Sequence, residues 1–470
     1  MGDPGSDLER YLEPRREERL ASLKELLRIP SISALPEHVG DCRRSAEWVA
    51  ADLRASGIEH VEVCETGGHP VVYGDWLHAE GAPTLVIYCH YDVQPVDPLD
   101  LWTDSPFEPT IRDGRILARG AADDKGQLHA HLRAIQALMA TRGRLPVNVR
   151  YVFEGEEEIG SAHLDSWLDA NRNRLAGDLA VISDTPFFQG NLPAITVGLR
   201  GLMYCQVDVI GPALDLHSGG FGGAVQNPAN ALAWILAGLK DPGGRVLVPG
   251  FYDDVVALEP GDRAGLAALP FDEAAFLAEA GAPALAGEAE FTVLERLGAR
   301  PTLDVNGLWG GFQGEGSKTI IPAHAHAKVS CRLVANQDPE RLFELVRARI
   351  LELAPPGVKV DVRYLNGGRP SLTRIDHPGV RAAARALEVV FGRPPLYPRE
   401  GGSIPVTASF ESILGIPVVL MGFSNPDDNA HAPNESLVLA NYEGGIRAVA
   451  RMMDELASGE LGGPGPSPRA

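Results

Sequence analysis

Four apolar runs in this chain each break off into acids or histidines. TLVIYC at 84–89 runs into His90 and Asp92, and PVNVRYVF at 146–153 runs into Glu154, Glu156, Glu157 and Glu158. LAVIS at 179–183 meets Asp184, and IPVVLM at 416–421 leads to the loop NPDDNAH that ends at His431. A strand that is apolar throughout is buried on both faces, as in a sheet covered by helices on each side. In open α/β sheets, ligands bind outside the carboxyl ends of the strands. Four arrivals of this kind therefore predict a layered α/β sheet with one polar site along its edge. A fifth segment, RGAADDKG at 119–126, puts Asp123 and Asp124 in a glycine-flanked turn. Leu128, Leu132, Ile135, Leu138 and Met139 follow it at helical spacing.

The remaining pattern divides the chain. Helices are expected near 15–28 and 43–55, the second stopped by Gly57. From about 199 the style changes to an alternating strand at 202–209 and a helix near 228–239. A Gly/Ala/Pro-rich stretch at 259–287 reads as an irregular insert. Alternation at 323–334, helical periodicity at 339–353 and a strand at 358–364 form a compact βαβ unit. A helix at 380–391 and the strand at 416–421 then return to the style of the first part. A chain of 470 residues is long enough for two or three domains. The expectation is a first domain at 1–198 that resumes at 373–458, a smaller α+β domain inserted at 199–372, and a loose tail at 459–470.

Charge narrows the function. The net charge of −21 repels nucleic acid and anionic membranes and attracts cations. Five scattered cysteines without CxxC spacing point to reduced thiols and give no thiolate metal site. No secretory-type start and no bilayer-length apolar run is present, so a cytoplasmic protein without a membrane partner is expected. Two imidazoles with several carboxylates suit borderline cations such as Zn²⁺, Mn²⁺ or Co²⁺. So many acids require more than one positive charge, and two ions bridged by one carboxylate would balance them. Spacing does not say which acid bridges and which acts as a base.

Plainer readings compete at each position. Acid runs such as 154–158 are usually solvated loops, and Asp123 with Asp124 would serve as a helix N-cap pair. His129 and His131 fit structural roles on the helix after the turn, and His324 and His326 fit one exposed sheet face. Asp427 and Asp428 suit a turn, and an arginine on a strand, such as Arg332, commonly pairs with a surface acid.

Nine motifs occur in order: HYDVQP at 90–95, Trp102 with SPFEP at 105–109, GRILARGAADDKG at 114–126, EGEEEIGS at 154–161, VISDT at 181–185, DLHSGGFGG at 215–223, SKTIIP at 317–322, REGGSIP at 399–405 and HAPNES at 431–436. On these the sequence resembles the M20 family of metallopeptidases, on its cytosolic nonspecific dipeptidase and carnosinase branch. The resemblance implies an α/β di-metal catalytic domain, a mixed sheet flanked by helices, with an inserted smaller α+β, ferredoxin-like domain acting as lid and dimerisation module. It implies two divalent ions per subunit, Zn²⁺ first and Mn²⁺ or Co²⁺ as alternatives. His90 and Asp184 would hold one ion, Glu158 and His431 the other, and Asp123 would bridge them. Asp92 would orient His90, and Glu157 would be the general base. His217 would reach the developing oxyanion from the partner subunit of a homodimer. Arg332, helped by Thr319 and the Gly402–Ser403 turn, would clamp the free carboxylate of a small-molecule substrate. The implied reaction is hydrolysis of dipeptides. An N-acyl-amino-acid deacylase using the same centre is the alternative, and a non-catalytic metal- or peptide-binding relative is the remote one, against which the intact Glu157 argues.

Overall fold

A computed structural model describes residues 4–402, 404–459 and 461. The chain forms two compact units. The first takes the described residues up to Val197, Thr373–Pro398 and those from Pro405 on, and the second takes Gly198–Leu372 with Arg399–Ile404.

The first unit is built on a six-stranded mixed sheet in the order Glu59–Cys64, Val71–Trp76, Asn148–Glu154, Thr84–His90, Leu179–Ile182, Val418–Leu420. The last four strands run parallel and the first two join antiparallel at one edge. Every residue of Leu179–Ile182 and Val418–Leu420 is buried, as is Thr84–His90 beyond its first residue. That is why these runs are apolar without alternation. Register puts His90 directly beside Glu154. Polar residues that end different strands therefore arrive at one level of the sheet.

The helix Lys125–Arg142 is buried on nearly all sides and packs on Leu439–Ser458, which in turn packs on Pro378–Phe391. Leu439–Ser458, of 20 residues, lies beyond the helices that periodicity alone predicts. Its Gly444 and Gly445 weaken the helical signal, since glycine disfavours helix by about 1 kcal/mol relative to alanine. Their reason is contact: a Cβ at Gly444 would lie 2.4 Å from the Phe391 ring, and one at Gly445 2.7 Å from that of Phe423. Closer still is Gly422, just past a strand end, where a Cβ would stand 1.6 Å from the carbonyl oxygen of Thr185. The atoms it would meet are all backbone, so Gly422→Ala is expected to destabilise the protein by about 3 kcal/mol, the upper range for overpacking. The midpoint of urea unfolding measures this, and an unchanged midpoint refutes it.

The second unit contains a four-stranded antiparallel sheet in the order Thr302–Gly310, His324–Leu333, Gly201–Ile210, Lys359–Gly368. Helices Pro228–Ala237 and Pro339–Leu353 pack on it. Along the chain this is strand, helix, strand, strand, helix, strand, the ferredoxin-like arrangement. Burial alternates residue by residue along Gly201–Ile210 and along His324–Leu333, as one covered face requires. The fold class expected from the sequence, mixed α/β with a smaller α+β part, is the one adopted.

Two local expectations are corrected. The 259–287 stretch is not irregular, because Pro260–Ala267 and Glu273–Ala280 are helices. Its alanines are strong helix formers, Pro260 takes the first turn of one helix and Gly281 caps the other in a left-handed conformation, while Gly265 is carried inside the first helix. Arg399–Ile404 goes with the second unit because Arg399–Glu400 pairs parallel with Gly198–Leu199. Among the described residues no helix is long and apolar enough to cross a membrane.

Candidate metal centre

His90 ends its strand fully buried. Its Nδ1 lies 3.1 Å from the carbonyl oxygen of Asp92 and 3.4 Å from that residue's Oδ1. Both are acceptors, so Nδ1 carries the proton of the neutral ring and Nε2 presents a lone pair. Nε2 faces Asp123 Oδ1 at 2.9 Å and Asp184 Oδ2 at 3.9 Å. His431, in a left-handed conformation with φ of 61°, aims its Nε2 at Asp123 Oδ2 at 2.8 Å and at Glu158 Oε2 at 3.0 Å. Each oxygen of Asp123 is thus opposed by a different imidazole. Each of these short contacts takes a cation, either a proton on the imidazole or a metal ion in its place.

The carboxyl groups behave accordingly. Burial pushes Glu157 up to about 9, with His90 opposing and the negative charges of Asp184, Asp123 and Glu158 adding to the rise. Burial, then Asp123, raise Asp184 to about 6. For Asp123 burial acts upward too, but hydrogen bonds from His431 and His90 outweigh it and keep the group well below the usual carboxylate range. Hydrogen bonds to Asp123 and Glu158 raise His431 to about 10 against its burial. Two sets of ligand atoms are close enough to hold an ion, His90 with Asp123 and Glu158, and His90 with Glu157 and Asp184. Two imidazoles and four carboxylates fit divalent cations of the zinc and manganese type.

Residues around the cluster orient it. The Asp92 carboxylate stands beside His90 and its Oδ2 accepts the Glu158 N–H at 3.1 Å. Gln94 donates to Glu158 Oε2 at 2.8 Å, and Asp124 accepts the His90 N–H at 3.2 Å. Asp124 makes no side-chain cap for the helix it precedes, so the N-cap-pair reading of these two acids gives way. Glu435, fully buried, receives four donors from residues 119–123. Gln94, Asp124 and Glu435 carry no signal of these roles in the sequence, since their partners are set by folding.

Several plainer readings hold. His129 hydrogen-bonds Tyr442 at 2.8 Å and Ser22 at 3.1 Å, and His131 bonds Ser183 at 2.8 Å. Asp427 and Asp428 both pair with Arg115 in their loop. His326 pairs with Asp208 at 2.6 Å and stacks on Trp309.

The other expected site residues belong to the second unit. His217 and Thr319 come together there: Leu216–His217 pairs with Ile320–Ile321, and the Ser218 N–H donates to the Thr319 carbonyl at 3.0 Å. His217 is exposed, and its Nδ1 accepts the Gly219 N–H at 3.0 Å. In the neutral ring this leaves Nε2–H as a free donor. Arg332 sits mid-sheet between Thr302 and Leu202 and has no ion-pair partner among the described residues, so it is not the surface-paired arginine of the plain reading. Its charge, after burial, holds the neighbouring Arg200 below its ordinary value. Gly402 is exposed, and Ser403 lies outside the described residues.

A mixed α/β sheet that delivers two imidazoles and four carboxylates to one level is the framework of a metal-dependent hydrolase. Comparison with known proteins gives the family. A model of peptidase family M20/M25/M40 matches residues 86–455, and the chain belongs to this family of metallopeptidases. The Cys-Gly metallodipeptidase of Schizosaccharomyces pombe is 33% identical over 463 residues, covering 95% of this chain and 97% of its own. The human Beta-Ala-His dipeptidase is 31% identical over 465 residues, 95% of this chain and 92% of that one. Among solved structures, an M20 family metallo-carboxypeptidase from Sulfolobus solfataricus superposes with a TM-score of 0.81 at 35% identity, covering 94% of this chain and 99% of its own.

Proposed function

We propose that the protein hydrolyses dipeptides at the bond next to a free C-terminal carboxylate, using two divalent ions and Glu157 as general base. The observation that supports this most is the division of Asp123 between His90 at 2.9 Å and His431 at 2.8 Å, which suits one carboxylate serving two cations. In this reading His90 and Asp184 hold one ion, Glu158 and His431 the other, and Asp123 serves both. Zn²⁺ is the proposed ion, and the same nitrogen and oxygen set accepts Mn²⁺ or Co²⁺. When bound, the ions polarise the scissile carbonyl and lower the pKa of water.

The chain's own groups do the rest. Glu157 takes a proton from the attacking water and delivers it to the leaving amine. Asp92 keeps the ring of His90 in the tautomer that leaves Nε2 unprotonated. His217 donates its Nε2–H to the developing oxyanion. Arg332, which has no acid partner among the described residues, takes the substrate carboxylate through two parallel hydrogen bonds, helped by Gly402, Ser403 and Thr319, the last of which lies with His217. We extend the reading to a cytoplasmic homodimer in which His217 comes from the partner subunit, with 1–198 and 373–458, less 399–404, as the catalytic part and 199–372 as lid and dimerisation part.

Metal removal tests it. Chelator-stripped protein is expected to lose hydrolysis of a dipeptide panel, to regain it with Zn²⁺ or Mn²⁺, and to leave C-terminally amidated dipeptides intact. If no metal restores cleavage of any dipeptide, the proposal fails. Acetyl-amino acids in the same panel decide the deacylase alternative, which predicts their cleavage without peptidase activity. The likeness to a metallo-carboxypeptidase favours a second reading, release of the C-terminal residue from longer peptides, and a tetrapeptide substrate decides that.

A further inference from the structure

One buried carboxylate joins the turn that carries Asp123 to the loop that carries His431. Glu435 is fully buried. Its Oε1 accepts the backbone N–H groups of Ala122 at 2.9 Å and Asp123 at 3.1 Å. Its Oε2 accepts the Gly120 N–H at 3.0 Å and the Arg119 guanidinium at 2.8 Å. The backbone is tied in the other direction as well, since the Ala118 N–H donates to the Glu435 carbonyl at 3.0 Å. Arg119, also buried, gives its other terminal nitrogen to the Pro95 carbonyl at 3.0 Å and lies over the Trp102 ring.

A buried ion pair is by itself weak evidence for stability, because desolvation offsets most of the attraction. Only one of the four bonds to this carboxylate comes from a cation. The other three come from the amides of Gly120, Ala122 and Asp123, which one turn directs at the same carboxylate. The residue closing that turn is Asp123, whose carboxylate must present one oxygen to each histidine. Glu435 follows His431 with three residues between them, so the same side chain anchors the second loop.

We infer that Glu435 is a positioning residue of the metal centre: by gripping the amides of 120–123 it sets the Asp123 carboxylate between His90 and His431 and locks the two ligand-bearing loops together. It touches neither substrate nor ion. The inference rests on the metal-centre reading above, and its test uses the metal alone.

In Glu435→Gln one acceptor oxygen becomes an NH₂ group that must face donors, so two of the four bonds are lost. Calorimetric titration of the metal-stripped full chain with Zn²⁺ is expected to show affinity weakened 10- to 100-fold, the usual scale for residues behind metal ligands. In the dipeptide assay kcat should fall while KM stays unchanged. Arg119→Gln removes the cation but leaves the three amide bonds, so it should lower thermal stability and keep Zn²⁺ affinity within about threefold of wild type. If Glu435→Gln does not fold, the double variant R119M/E435Q, which buries no charge, takes its place in the same titration and carries the same expectation. Unchanged Zn²⁺ affinity in the folded variant, or equal weakening in Arg119→Gln, overturns the inference alone. A wild-type chain that binds no Zn²⁺ overturns the metal-centre reading and this inference with it.

Discussion

Glu157→Gln is expected to keep both ions and to lose at least about a hundredfold in kcat, the scale of a missing general base. The amide has nearly the shape of the carboxylate but cannot accept the proton that the attacking water releases. Glu157 lies within the cluster, its acid raised to about 9 by burial before any cation enters. Glu157 is not among the proposed ligands, so both ions should remain bound. The measurement is metal content together with kcat. Because Glu157 also shares a potential ligand set with His90 and Asp184, loss of an ion in the variant would make it a ligand instead. Full activity would show that another group is the base.

Asp123→Asn carries the second large effect. The carboxylate lies 2.9 Å from His90 and 2.8 Å from His431, so its removal strikes both halves of the site together. The variant is expected to retain fewer than two ions per chain at micromolar Zn²⁺. Its kcat/KM should fall at least about a thousandfold, roughly 4 kcal/mol at 1.36 kcal/mol per tenfold. The backbone N–H of Asp123, which donates to Glu435, is untouched, so the melting temperature of the metal-free protein should hold. Two ions bound at wild-type affinity would refute the bridging role.

How far these sites could be read from the sequence differs residue by residue. The strands at 84–90, 148–154, 179–182 and 418–420 were legible because burial on both faces writes itself locally as an apolar run. His90, Asp184 and the acid run 154–158 were legible as the residues at which those runs stop, whereas the choice of Glu157 and Glu158 within that run came with the resemblance. The helix Leu439–Ser458 was not, because Gly444 and Gly445 answer to aromatic rings from other parts of the chain. The 259–287 stretch misled by composition, since its alanines form two short helices, one of which carries Gly261 and Gly265. The roles of His217, Thr319 and Arg332 came with the family resemblance, and no periodicity points to them.

By itself, then, the sequence determined the α/β rhythm, the βαβ unit of the second part and the set of acids and histidines at the strand ends, because periodicity and burial act over a few residues. Only the tertiary structure decided how that set is arranged: that Asp123 turns one oxygen to each histidine, that Asp124 serves the backbone of His90, and that Glu435 grips the turn at 120–123. Those relations join residues far apart in the chain. A carboxylate's charge and hydrogen bonding depend on what folding brings within about 3 Å of it, which no local pattern encodes.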